Sequence, residues 1–140
     1  MRNLKVLLVF LGVMSVSSSA LGGNVKMIAK PTLNVDAVSV NELKSIFLGG
    51  RSSLKNGTHV EPVLETRGAV RDQFLREYLD ESDEEFQLYY RTQVFTGKGS
   101  MPKTLASDAE VVAYVAKTKG AIGYVSVGTG AGGVKTLEVK

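Results

Sequence analysis

Gly120-Ala121-Ile122-Gly123-Tyr124-Val125-Ser126 sets an apolar run directly behind a glycine that closes a helix. The run is short, β-branched and aromatic, so Ile122 to Ser126 reads as a buried strand. Upstream, Ile46-Phe47-Leu48-Gly49-Gly50-Arg51 reads as a helix end turning at glycine. These two stretches frame the rest of the chain.

Three Ser-x-x-Glu signatures predict helix starts. Ser39-Val40-Asn41-Glu42 opens a helix with Leu43, Ile46 and Phe47 on one face. Ser82-Asp83-Glu84-Glu85 opens another, with Phe86, Tyr89 or Tyr90, and Gln93 or Val94 as its stripe, ending near Gly97. Ser107-Asp108-Ala109-Glu110 opens the helix through Val111, Val112, Tyr114 and Val115 that Gly120 closes. A further helix is predicted from Gly68 to Leu79, with Val70, Phe74, Leu75 and Tyr78 at helical spacing. Val25–Ala29, Val60–Leu64 and Val134–Val139 read as strands. Pro62 cannot donate to a ladder, which predicts an edge or an early end there. Strand and helix signals interleave, so the class is α/β with a central sheet and flanking helices. The predicted core is Ile46, Phe47, Val63, Phe74, Tyr78, Val112, Val115, Ile122 and Val125.

Residues 1–22 have the layout of a secretory signal peptide. Arg2 and Lys5 supply the positive start, and Leu7 to Val16 is a mostly apolar run shorter than a bilayer span. Cleavage after Ala20 or after Gly22 fits the small-residue rule. One domain is expected over residues 23–140. The chain has no cysteine, which excludes disulfides, thiolate metal sites and a cysteine lipid anchor. An unanchored exported protein points to the periplasm, with secretion as the second choice. The formal charge is +3, but without Arg2 and Lys5 the domain carries 15 Lys+Arg against 14 Asp+Glu, a net +1. That balance gives no electrostatic footprint for nucleic acid.

Several motifs dissolve on inspection. Gly128-x-Gly130-x-x-Gly133 has the letters of a dinucleotide fingerprint, but a strand follows it rather than a helix. It reads as a flexible turn. Gly97-Lys98-Gly99-Ser100 lacks the first glycine of a phosphate loop and reads as a helix cap and loop. His59 is the only histidine, so neither a metal site nor a cofactor is expected. Asp80, Glu81, Asp83, Glu84 and Glu85 suit the positive end of a helix and read as a solvated cap. No catalytic constellation is visible, so the chain reads as a non-enzyme. What remains is Thr66-Arg67-Gly68-Ala69-Val70-Arg71, where a strand end meets a helix start. Open amides there, with Arg67 and Arg71 as forked donors, would suit an oxyanion. The alternative is a helix capped by Thr66 with both arginines solvated.

The chain resembles the second lobe of the periplasmic phosphate-binding proteins of ABC transporters, type 2 periplasmic binding proteins. The resemblance rests on Leu43-Lys44-Ser45-Ile46-Phe47-Leu48-Gly49-Gly50 and on Lys119-Gly120-Ala121-Ile122-Gly123-Tyr124-Val125. It runs from about Val25 to Val139. It implies a single three-layer α/β/α lobe and a solute-binding role with phosphate or another oxyanion as ligand. Where the family has Gly-Ser-Gly-Thr-Arg-Asp-x-Phe, this chain has Arg67-Gly68-Ala69-Val70-Arg71-Asp72-Gln73-Phe74. The arginine, aspartate and phenylalanine are kept, and both hydroxyls are gone. The expectation is weak oxyanion binding, with a protein partner or a homodimer completing the missing lobe. The alternative is an interaction or sensor module of the cell envelope that has lost the ligand site.

Overall fold

The computed structural model describes residues 24–140, so the leader predicted over 1–22 lies outside the described residues. The elements in chain order are β1 (Val25–Ala29), β2 (Ala37–Val38), α1 (Val40–Phe47), β3 (Glu61–Glu65), α2 (Ala69–Phe74), α3 (Asp83–Phe95), β4 (Lys103–Leu105), α4 (Asp108–Lys117), β5 (Ala121–Ser126) and β6 (Lys135–Val139). After Phe74, α2 widens into a π-helical segment, Leu75–Leu79, which ends at Asp80 in the left-handed region (φ 55°). The short β2 and β4 carry no sequence signal and were not expected.

The strands form one mixed sheet in the order β2-β6-β1-β5-β3-β4. β1 is antiparallel to β5 and β6, and β3 is parallel to β5 and β4. Side chains alternate across the sheet. Met27, Ala29, Leu64, Ile122 and Tyr124 face α1, α2 and α3, joining Phe47, Phe74 and Phe86. Ile28, Val63, Ala121 and Val125 face α4 and its Val111 and Val115. The result is the three-layer α/β/α lobe. Tyr78 and Val112, both expected in the core, are only half-buried against it, and Val111 takes the inward position on α4.

The deciding stretch owes its glycines to close approach. Gly120 has φ +81°, and a Cβ there would lie 2.9 Å from the His59 carbonyl oxygen. A Cβ on Gly123 would lie 2.9 Å from Val111 Cγ1, so α4 packs directly onto the β5 backbone. Tyr124 stacks on Phe74 with ring centroids 4.0 Å apart, a contact worth about 0.5–1.5 kcal/mol beyond its buried area.

α1 ends as its sequence implies, with Gly49 at φ +74° and the Gly50 amide on the Ser45 carbonyl at 2.9 Å. Two tyrosines of α3 complete that cap. Tyr89 Oη donates to the Leu48 carbonyl at 2.7 Å, and Tyr90 Oη donates to that of Phe47. Of the three expected capping boxes, one is reciprocal: Ser39 accepts from the Glu42 amide and Glu42 from the Ser39 amide. Ser82 and Ser107 each accept one amide, but Glu85 takes the Ser82 hydroxyl and Glu110 takes the Ala106 amide.

β3 is interior rather than an edge. The Glu61 amide donates to Gly120 on the β5 side. Pro62 therefore turns its nitrogen toward β4, whose pairing starts only at Val63. The glycine segment 127–134 connects two strands that are not neighbours in the sheet. β5 and β6 flank β1 and run the same way, so the segment crosses the sheet on the α4 face. Ala131 and Val134 pack there against the cluster containing Ile28.

Candidate functional site at the end of β3

β3 delivers Glu65 to its C-terminal end, and the Thr66 amide then pairs with the Leu105 carbonyl at 2.9 Å. Thr66, Arg67, Gly68 and Ala69 are exposed. Gly68 is the N-cap of α2 in an extended conformation, and no side chain caps the helix. Thr66 thus does not cap it. A Cβ on Gly68 would meet nothing nearer than the Thr66 carbonyl at 4.0 Å, so space for a hydroxyl side chain remains. Val70 is half-buried against the core and leaves the loop.

The two arginines converge on one carboxylate. Arg67 Nε lies 2.9 Å from Asp83 Oδ2, and Arg71 Nε lies 2.8 Å from Asp83 Oδ1. Their exposures differ: the Arg67 side chain is 70% exposed and that of Arg71 is 6% exposed. Arg71 also donates through Nη1 to the Glu65 carbonyl at 3.3 Å and lies 5.3 Å above the Phe86 ring. Gln87 Nε2 donates to Asp83 Oδ2 at 2.8 Å. Asp83 is therefore not a solvated cap residue. It is an internal anion that ties the end of β3, α2 and α3 together. Sequence reading missed it because its position in the first turn of α3 already had a sufficient explanation.

A second acidic group sits at the same sheet end. Glu65 is 6% exposed, and its Oε2 has no partner. Burial, then a hydrogen bond to Asp108 and its charge, pushes the Glu65 carboxyl up to about 8. Burial alone would raise Asp108 too, but bonds from Glu65, Thr129 and Ser126 hold it below its ordinary value. Asp108 Oδ2 accepts from Thr129 Oγ1 at 2.7 Å and Oδ1 from the Ser126 amide at 3.3 Å. Through Ser126 and Thr129, Asp108 pins the start of α4 to the crossover segment. Between these groups, Tyr124 Oη accepts the Glu65 amide at 3.0 Å.

Grooves of about 590, 380 and 660 Å³ lie elsewhere, none lined by residues 66–71. Among the described residues there is no cluster of three or more side chains able to hold a metal ion. Among them, too, no helix is long and apolar enough to cross a membrane.

No family model matches the sequence, and no curated protein matches it. Solved structures do. A protein from Clostridium perfringens described as a phosphate ABC transporter substrate-binding protein, with bound phosphate, is 17% identical with a TM-score of 0.63. The match covers 84% of this chain and 45% of that one. PstS from Borrelia burgdorferi is 15% identical with a TM-score of 0.65, over 84% of this chain and 47% of its own. An ABC-type phosphate transport receptor from Vibrio cholerae is 12% identical with a TM-score of 0.57, over 84% and 46%. The chain spans less than half the length of these proteins. Its fold is that of a lobe of the periplasmic phosphate-binding proteins.

Proposed function

We propose that this chain is an exported, periplasmic, solute-binding-type protein that contacts phosphate or a similar oxyanion weakly at Thr66–Arg71. The observation that carries the reading is the convergence of Arg67 and Arg71 on Asp83. Two guanidiniums gathered on one carboxylate form an anion receptor with a resident anion. A tethered carboxylate competes at an effective concentration of millimolar order or more. An external oxyanion must displace it from Arg67, whose exposed ion pair is worth only about 0–1 kcal/mol. Gly68 and Val70 supply no hydroxyl, so the loop offers amides and Arg67 alone. Weak binding follows, with no catalytic step. The fold shared with phosphate receptors supports the ligand class. The leader pattern of residues 1–22 supports export.

Equilibrium dialysis of the processed chain against labelled phosphate tests this. Saturable binding in the millimolar range, reduced in Arg67→Ala and not matched by chloride, is expected. No saturable binding would leave the second reading, an envelope interaction module that kept the fold and lost the ligand. The apolar exposed face of α3 favours that alternative.

A further inference from the structure

Three neighbouring strands each bring a basic residue to the sheet end opposite Glu65. Lys30 directly follows β1, while Lys119 and His59 stand just before β5 and β3. β5 lies between the other two, antiparallel to β1 and parallel to β3, with Glu61 beside Ala121. The three residues therefore meet at one place, where they line a groove of about 660 Å³. Thr32, Asn34 and Thr58 line it too, around Leu33, which is buried. No aspartate or glutamate contributes to the lining. Lys30 and Lys119 enter no ion pair among the described residues. Lys119 suits the C-terminal end of α4, but neither Lys30 nor His59 follows a helix.

The walls are held by their backbones. The Leu33 amide donates to the Lys30 carbonyl at 2.9 Å, and Lys135 Nζ donates to that of Leu33 at 2.7 Å. Lys135 is itself paired with Asp36 at 2.8 Å. Asn56 Nδ2 donates to the Asn34 carbonyl at 3.3 Å. Across the groove, the Leu54 amide donates to the Thr58 carbonyl at 2.9 Å, and His59 bridges to Ser53. The Glu61 amide donates to the Gly120 carbonyl at 2.8 Å, which fixes His59 and Lys119 side by side. A groove with walls already ordered loses little entropy when a ligand enters.

We infer that this groove binds a small organic anion carrying two or more negative charges. Two ammoniums, an imidazole, two hydroxyls and the Asn34 amide supply donors for its oxygens. Donors that carry charge make the stronger bonds to anionic oxygens. The volume is that of a small-molecule site and exceeds what a single tetrahedral ion fills. The groove shares no residue with Thr66–Arg71 and does not rest on the function proposed for that loop. Polycarboxylates and phosphate esters present the same acceptor oxygens, so both serve as probes.

Amide NMR shifts of the processed chain, titrated separately with citrate and glycerol 2-phosphate at constant ionic strength, test this. Saturable shifts centred on residues 30–34, 58–59 and 119–120 are expected. Saturation by citrate alone narrows the class to carboxylates, and by glycerol 2-phosphate alone to phosphate esters. Lys30→Gln and Lys119→Gln should each weaken binding by about threefold, and the double variant by about tenfold. Thermal unfolding of each variant checks that it folds. Arg76 is exposed and does not line the groove, so Arg76→Gln removes the same charge and should leave the affinity unchanged. No saturation with either probe, shifts confined to residues 66–71, or equal weakening in Arg76→Gln would each overturn the assignment.

Discussion

Arg71 Nε lies 2.8 Å from Asp83 Oδ1, and this pair closes the space where α2 leaves β3 against the start of α3. Both side chains are largely shielded from water, so removing one strands the other's charge. Arg71→Ala should destabilise the fold by about 3 kcal/mol, the order found for broken buried pairs. Arg67 makes the matching contact at 2.9 Å but is mostly exposed. Arg67→Ala should cost under about 1 kcal/mol. Urea unfolding of the two variants side by side checks the contrast, and equal losses would refute the assigned asymmetry.

Tyr124 combines a core ring with a polar end. Its hydroxyl accepts the Glu65 amide at 3.0 Å, and its ring stacks on Phe74. Tyr124→Phe keeps the stack and leaves a buried amide without a partner. A loss of about 1–3 kcal/mol in denaturant unfolding is expected.

Gly123 admits α4. Gly123→Ala would set a methyl 2.9 Å from Val111 Cγ1 and should cost about 1–3 kcal/mol through overpacking. Val111→Ala in the same chain should recover part of that loss. A double-mutant cycle measures the coupling, and strict additivity would contradict the contact.

Glu65 makes stability pH-dependent. Its folded-state value of about 8 stands above the ordinary 4.5, so the native state binds more protons between the two. Its contribution is therefore fully present below about pH 4.5 and lost as pH rises to about 8. The slope from one group is at most about 1.4 kcal/mol per pH unit. Glu65→Gln keeps a donor toward Asp108 without titrating. The variant should match the parent near pH 4.5 and exceed it at pH 8 in chemical unfolding. Parallel curves for the two proteins would contradict the raised Glu65 value.

Much of this fold was legible because local signals and tertiary demand agree. Ser39, Ser82 and Ser107 cap the helices they precede. Gly49 takes positive φ just past the end of α1, and Gly120 does so in the turn between α4 and β5. β2 and β4 were not legible, because strands of two and three residues carry no periodicity. The glycine run at 127–134 was legible as a turn but not as a crossover, because strand order depends on partners far away in sequence. At the site, Thr66–Arg71 could be located as a loop, but not how its arginines are employed. Asp83 lies twelve residues past Arg71 in another helix. Only packing brings them together, and the same holds for Glu65 and Asp108.

The central claim is that Asp83 occupies the arginines that an external oxyanion would need. Thermal unfolding of the processed chain and of Asp83→Asn, titrated with phosphate against chloride at constant ionic strength, tests it most directly. Mass action requires a bound ligand to raise the midpoint with concentration. The account predicts a small phosphate-selective rise in the parent. It predicts a lower starting midpoint in Asp83→Asn and a larger rise, equivalent to roughly tenfold tighter binding. A flat phosphate response in Asp83→Asn would contradict it.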